Sequence, residues 1–193
     1  MNLNDRRVIK TKNIFHQTLL KLLKEKNLES ISVSEICKIA NVNRGTFYLH
    51  YDQKENLFEE YFMEVMKDLE KSYHGPYQDL SIQPHEIDPS SLRIFHHVKK
   101  YSDFYKIVFS NKASLSYYYL FYNKVKILLE EVLTMYKDDK LNIPLYSAYQ
   151  ANAVIGMIIQ WVSNDFSYSL DYMNEQYAHF LKIDKFQLAK YHE

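Results

Sequence analysis

ISVSEICKIANVNRGTFYLHYDQKENLF, residues 31–58, decides the fold, because helix starts and stops follow one another in it at short intervals. Ser32 with Glu35 three residues on is an S-x-x-E capping box, whose hydroxyl satisfies a backbone N–H that the first helical turn leaves unpaired. It opens a short helix over 33–40. Asn43 is a second cap, ahead of Arg44, and Asp52 with Glu55 opens a long helix from Gln53. Two short helices, 33–40 and 44–50, joined by the three residues 41–43, have the spacing of a helix-turn-helix.

Upstream, residues 7–26 place Phe15, Leu19, Leu22 and Leu23 on one helical stripe, and Asn27 stands where a left-handed C-cap is expected. At about 100° per residue, Phe47 and Tyr51 share one side of the 44–50 helix while Gly45, Tyr48 and Leu49 lie towards the other. Phe47 and Tyr51 then anchor that helix to a core of Phe15, Leu22, Ile36 and Ile39. Gly45 points away from the core, where glycine weakens a helix by roughly 0.5–1 kcal/mol. Close approach of something from outside accounts for it, and a DNA major groove meets a reading helix at its first residues. Asn43, Arg44 and Thr46 are short-range base readers or phosphate binders at that end. Tyr48 and His50 can donate to phosphates, Lys54 stands beside the backbone, and Ser32 and Ser34 can hold a phosphate on the same strand.

Charge agrees with a polyanionic partner for this segment. The whole chain of 193 residues is formally neutral, yet residues 1–54 hold ten Lys/Arg against five Asp/Glu, net +5, and the remainder holds 14 against 19, net −5.

At these residues the chain resembles the TetR family of bacterial transcription regulators, whose N-terminal signature runs T/S-V-x-x-I-x-x-x-A-G-V-S-x-G-x-[FL]-Y-x-H-F-x-x-K-x-x-L. The resemblance puts Val33, Ile36, Ala40, Val42, Phe47, Tyr51 and Leu57 at packing positions, and Asn43, Arg44, Gly45, Thr46, Tyr48, His50 and Lys54 at DNA-facing ones. Asn27 and Asn41 stand where the family usually has Gly, and Asn43 replaces its common Ser or Thr cap. Asn tolerates positive φ, so these departures leave the fold intact.

Beyond the N-terminal segment, 74–90 contains Gly75 and three of the four prolines and lacks a helical period, which makes it a loop or hinge. Helices are expected over about 91–101, 103–109, 114–137, 144–163 and 170–181. The resulting organisation is all-α: a helix-turn-helix DNA-binding domain over 1–54, a linking helix over 55–73, the loop, and a helical regulatory and dimerisation domain over 91–193. Aromatic residues crowd the latter part, with 16 of 18 Tyr and eight of eleven Phe after residue 60. Phe104, Tyr105, Phe109, Tyr118, Phe121, Tyr122 and Trp161 are expected either to fill a core or to line an apolar ligand pocket.

The 145–162 segment is apolar on nearly every side, so a second face needs a partner, and a symmetric dimer provides one. Val154, Ile155, Ile158, Ile159, Val162, Met173, Tyr177 and Phe180 are its expected residues, with Ala148, Ala153 and Gly156 permitting close helix approach. The resemblance implies the same pairing, with two reading heads presented to a palindromic operator. FYKIVFSN and VIGMIIQWVSNDFSYSLDYM also resemble the C-terminal domain of regulators related to the dihydroxyacetone-kinase operon activator, which opens the alternative of a protein effector, or of no effector, in place of a small molecule.

Other classes find no residues to carry them. Cys37 is a lone cysteine in an amphipathic stretch and reads as a small core residue. The N-terminal residues hold no apolar targeting stretch, and the longest apolar run, 153–159, is far short of the roughly 20 residues that span a bilayer, so a cytoplasmic protein is expected. His96 and His97 point about 100° apart on a helix near His85 and lack the spacing of a metal site. Neither a phosphate-cradling glycine loop nor a nucleophile and base pair stands out, so no metal, cofactor or enzymatic activity is expected. The expectation is a homodimeric DNA-binding regulator, more readily a repressor released by an effector than a ligand-independent co-activator under a protein partner. The 53–72 helix would be its mechanical link.

Overall fold

The computed structural model describes residues 6–74, 89, 92–110, 114–134 and 141–186, and the regular structure among them is helical throughout. In chain order the elements are α1 (Arg6–Leu23), a 3-10 turn (Leu28–Ser30), α2 (Val33–Ala40), α3 (Arg44–Tyr48), α4 (Lys54–His74), α5 (Ile94–Lys100), α6 (Ser102–Val108), α7 (Leu115–Leu133), α8 (Ile143–Ser163) and α9 (Leu170–Phe186). The expected loop over 74–90 lies almost wholly outside the described residues, as do His85 and positions 135–137 of the expected 114–137 helix. No described helix is long and apolar enough to cross a membrane.

The chain divides into two compact units, Met1–Met66 with Asp103–Tyr117, and Lys67–Ser102 with Tyr118–Glu193. In the first, the caps act as their side chains dictate. Ser32 is extended and its Oγ accepts the Glu35 N–H at 3.2 Å, while the Glu35 carboxylate is held by Lys26 Nζ at 2.6 and 2.7 Å. Asn41 ends α2 in the left-handed region, with φ 53°, and the Val42 N–H turns back to the Cys37 carbonyl at 3.0 Å. Asn27 differs from its expected part: at φ −71° and ψ 154° it is extended. α1 has already stopped at Leu23, and Asn27 leads straight into the 3-10 turn that buries Leu28.

Phe15, Leu19, Leu22, Leu23, Ile36, Phe47 and Leu57 form the core of this unit. Phe15 meets Phe47 edge-on at 5.3 Å between centroids and Tyr51 at 6.3 Å, a geometry that contributes about 0.5–1.5 kcal/mol per pair beyond burial. Ile39 does not join this core. It is 45% exposed and borders an open groove with Ile9, Ile14 and Thr18 of α1. Further along, Phe58 and Phe62 of α4 pack on Tyr117 and Phe104, with centroids 4.6 and 5.6 Å apart.

The second unit is built around Phe95, Trp161 and Tyr177, with both other rings edge-on to Phe95 at 5.9 Å. The Trp161 indole N–H donates to the Tyr168 carbonyl at 3.0 Å, which ties the α8–α9 turn to the core. Asp165 and Phe166 make that turn at φ 53° and 58°, and Phe166 is held there by its ring against Trp161. Asn142 caps α8 through the Leu145 N–H at 3.1 Å, with Pro144 in the first turn where its missing donor costs nothing.

Candidate nucleic-acid interface

The geometry begins at Asn43, whose Oδ1 accepts the Gly45 N–H at 2.8 Å and so starts α3. That helix is five residues long, too short to hold itself together without tertiary anchors. Phe47 supplies one anchor, fully buried, and Tyr51 another. The opposite side is bare: Asn43, Arg44, Gly45 and Tyr48 are exposed, and Thr46 is half-buried. A Cβ added at Gly45 meets nothing closer than Asn43 Oδ1 at 3.4 Å, and Gly45 does not adopt positive φ. Neither crowding nor backbone conformation within the chain calls for glycine there.

Arg44 Nη2 donates to the Tyr48 hydroxyl at 3.2 Å, so these two exposed side chains hold each other along α3. Ser34 is exposed in the first turn of α2, and Ser32 is exposed with its Oγ engaged in the α2 cap. His50 is half-buried, and burial followed by the charge of Lys12 pushes its imidazole below its ordinary pKa, with Glu60 opposing. Lys54 is placed differently from the others. Its Nζ donates to the carbonyls of Glu29 and Ile31 at 2.8 and 2.6 Å, so it clamps the 3-10 turn to the start of α4.

A polar cluster that sequence reasoning passed over lies behind α3. Glu60 of α4 takes Lys12 Nζ of α1 on Oε1 at 2.5 Å and the Tyr51 hydroxyl on Oε2 at 2.5 Å. Burial acts to raise the Glu60 pKa, but the hydrogen bonds from Lys12 and Tyr51 outweigh it and hold the carboxyl below its ordinary value. Burial and the Glu60 charge together push the Tyr51 phenol up, so it remains a donor. His16 is buried with Nε2 3.4 Å from Glu60 Oε2, and burial pushes its imidazole down towards the neutral form. The sequence signal was the i, i+4 pair Lys12 and His16, which interrupts the apolar face of α1.

The other expected residues separate. Phe104, Tyr105 and Phe109 belong to the first unit, and Tyr118, Phe121, Tyr122 and Trp161 to the second. Phe104, Tyr105, Phe121 and Trp161 are buried as packing residues, whereas Phe109, Tyr118 and Tyr122 are half-buried. A cavity of about 20 Å³ in the second unit is bordered by Tyr73, Arg93, Val154 and Tyr177 and includes none of those seven; it has room for about one water. Of the expected dimer residues, Val154, Ile155, Ile158, Val162, Met173 and Tyr177 are buried within the chain, Ile159 is half-buried and Phe180 is 46% exposed. The open faces of α8 and α9 carry instead Tyr149, Ala153, Gly156 and Tyr172 beside Phe180. His97 Nδ1 meets Asp68 Oδ2 at 3.1 Å, and among the described residues no three His, Cys, Asp or Glu side chains converge on one point.

Comparison with known proteins gives two family matches. The model described as bacterial regulatory proteins, tetR family, matches residues 17–61, and one described as transcriptional regulator C-terminal region matches 85–182. The chain is 23% identical over 160 residues to the uncharacterized HTH-type transcriptional regulator YxbF of Bacillus subtilis (strain 168). That alignment covers 77% of this chain, which spans only 39% of the length of that curated relative. Among solved structures, the dihydroxyacetone kinase operon activator DhaS superposes with a TM-score of 0.67 at 20% identity, over 91% of this chain and 96% of that one. The fatty acid degradation regulator FadR from Bacillus halodurans gives 0.71 at 18%, over 89% and 94%. At these identities the structural likeness is one of fold.

Proposed function

We propose, from the premise that this chain belongs to the tetR family of bacterial regulatory proteins and is a transcriptional regulator with a helix-turn-helix, that it is a cytoplasmic repressor. It binds a palindromic operator as a homodimer and leaves it when an effector binds. One observation carries the DNA contact: the outer face of α3 is bare around a glycine that nothing in the chain requires. A major groove brings base edges against the first turn of a reading helix, where a side chain at Gly45 would collide. Asn43, Arg44 and Thr46 are assigned to base edges or nearby phosphates, and Ser32, Ser34, Tyr48, His50 and Lys54 to the backbone. Lys54 acts mainly by holding the turn that carries Ser32.

Dimerisation is assigned to the open faces of α8 and α9, where Phe180 lines a surface groove with Tyr149 and Ala153, and where Gly156 is exposed and Ile159 half-buried. Two heads must then meet successive major grooves about 34 Å apart. An effector that changes their spacing releases the DNA, and a reversal from 99:1 needs about 5.5 kcal/mol of preference for one state. A different sign of control, activation, is suggested by the name of DhaS, an operon activator.

Selection of duplexes from a random pool by the purified chain tests the first reading. The expected outcome is a palindromic consensus whose binding weakens steeply with salt, from a chain that light scattering shows to be a dimer. A monomer at micromolar concentration, or no enrichment, overturns it. A reporter driven by the selected site then separates repression from activation.

A further inference from the structure

We infer that Glu60 is a positioning residue for the reading helix, and that the Lys12–Glu60–Tyr51 linkage sets the angle at which α3 meets DNA. The inference rests on the DNA-binding reading for its consequence, but its geometry stands by itself. One carboxylate joins three segments: α1 through Lys12, the chain leaving α3 through Tyr51, and α4 through its own backbone. Tyr51 continues the last turn of α3, since its N–H donates to the Phe47 carbonyl at 2.9 Å. Displacement of Tyr51 is therefore passed directly to Phe47 and along the five residues of α3.

Apolar packing fixes where Phe47 sits but is non-directional, so it restrains rotation of a single-turn helix poorly. A hydrogen bond to an ionised carboxylate is directional and stronger than a neutral one, and here it acts on the hydroxyl at the far end of the second anchor ring. The groups facing it complete the device. Lys12 fixes Oε1, which leaves Oε2 aimed at Tyr51. His16 is buried 3.4 Å from the same oxygen, and burial pushes its imidazole towards the neutral form, which draws on the carboxylate less than a charged ring does. His50 and Glu64 border the cluster, 64 lying 3.6 Å from His16 Nδ1. Hydrogen bonds to base edges weaken steeply with misalignment, so a small rotation of α3 is read directly as lost affinity.

The test uses Tyr51→Phe, which deletes one oxygen and keeps the buried ring, with Glu60→Gln and the double variant. The probe is a fluorescent duplex selected by the wild-type chain, read by anisotropy alongside thermal unfolding and amide hydrogen exchange without DNA. Expected are an affinity loss of about tenfold in Tyr51→Phe, a melting shift of about 3–6 °C, and a double variant no weaker than the worse single. Amides of 47–51 exchange faster while those of 15–23 keep their protection. Affinity within twofold of wild type with unchanged exchange overturns the inference. So does a uniform rise of exchange across α1 and α2 with melting and affinity falling in step, which marks a merely structural contact. Should the wild-type chain select no duplex, the DNA-binding reading fails and the exchange arm alone decides: local acceleration at 47–51 supports the linkage and its absence overturns it.

Discussion

Arg44 and Tyr48 hold each other on the outer face of α3, the guanidinium donating to the phenol oxygen at 3.2 Å with its carbon 5.8 Å from the ring centroid. They are one turn apart and both exposed, so the pair adds little to stability and mainly restricts where each head group can go. Arg44→Ala should leave the melting temperature within error while weakening operator binding by about 1–3 kcal/mol if the guanidinium reads a base. If it meets a phosphate instead, the loss should be uniform across sequences and the salt slope should fall by about one. Anisotropy titrations at several salt concentrations on the selected site and a scrambled duplex separate the two, and an unchanged affinity on both removes Arg44 from the interface.

Gly45 gives a test in which stability and binding move in opposite directions. An added methyl finds ordinary van der Waals space and a helical backbone, so Gly45→Ala should stabilise the folded chain by up to about 1 kcal/mol. The same methyl on the face proposed to meet base edges should reduce operator affinity, and Gly45→Leu should abolish it with the dimer intact. Urea unfolding and anisotropy on the same preparations check both signs. Unimpaired binding by Gly45→Leu would show that α3 does not approach DNA at its first turn.

Lys54 bonds two main-chain carbonyls through a side chain that is mostly covered. Lys54→Met keeps the aliphatic stem and leaves both carbonyls without that donor, which should cost about 1–3 kcal/mol of stability. Its operator affinity, measured well below its melting temperature, should drop less than that of Arg44→Ala. A large affinity loss with no change in melting would instead make Lys54 a direct phosphate contact.

The N-terminal fold was legible because its determinants are local. Ser32, Asn41 and Asn43 each act on backbone groups within a few residues, and caps at that range can be read from sequence spacing alone. Asn27 was misread for the converse reason: whether an Asn is left-handed or extended depends on what the next segment buries, and Leu28 draws the chain out. Glu60 escaped notice because its partners, Lys12 and Tyr51, stand 48 and 9 residues away. The face of α8 was ambiguous for a related reason. A helix apolar on every side carries no amphipathic signal, so the sequence could not tell which of Val154, Gly156 and Ile158 the chain would bury for itself.

His97 makes stability depend on mildly acidic pH. Its side chain is fully covered, and burial pushes the imidazole down to about 4 from the ordinary 6.5, with the Asp68 hydrogen bond opposing and Lys100 adding to the lowering. The folded chain therefore keeps His97 neutral over a range where the unfolded chain protonates it. Across that window the unfolded state binds more protons, so stability is complete above about 6.5 and falls as pH drops towards about 4. The loss for this group approaches about 3 kcal/mol at the bottom of the window. Asp68, held below its ordinary pKa mainly by Lys100 and His97 against the opposing effect of burial, adds its own loss at lower pH, below the His97 window. His16, also lowered by burial, adds to the same slope, so replacing His97 should flatten it without abolishing it. Urea unfolding at pH 7.5, 6.5, 5.5 and 5.0 should show a steeper decline for the wild-type chain than for His97→Gln, whatever the absolute stability of the variant. Equal slopes would mean that His97 titrates alike in the folded and unfolded chains.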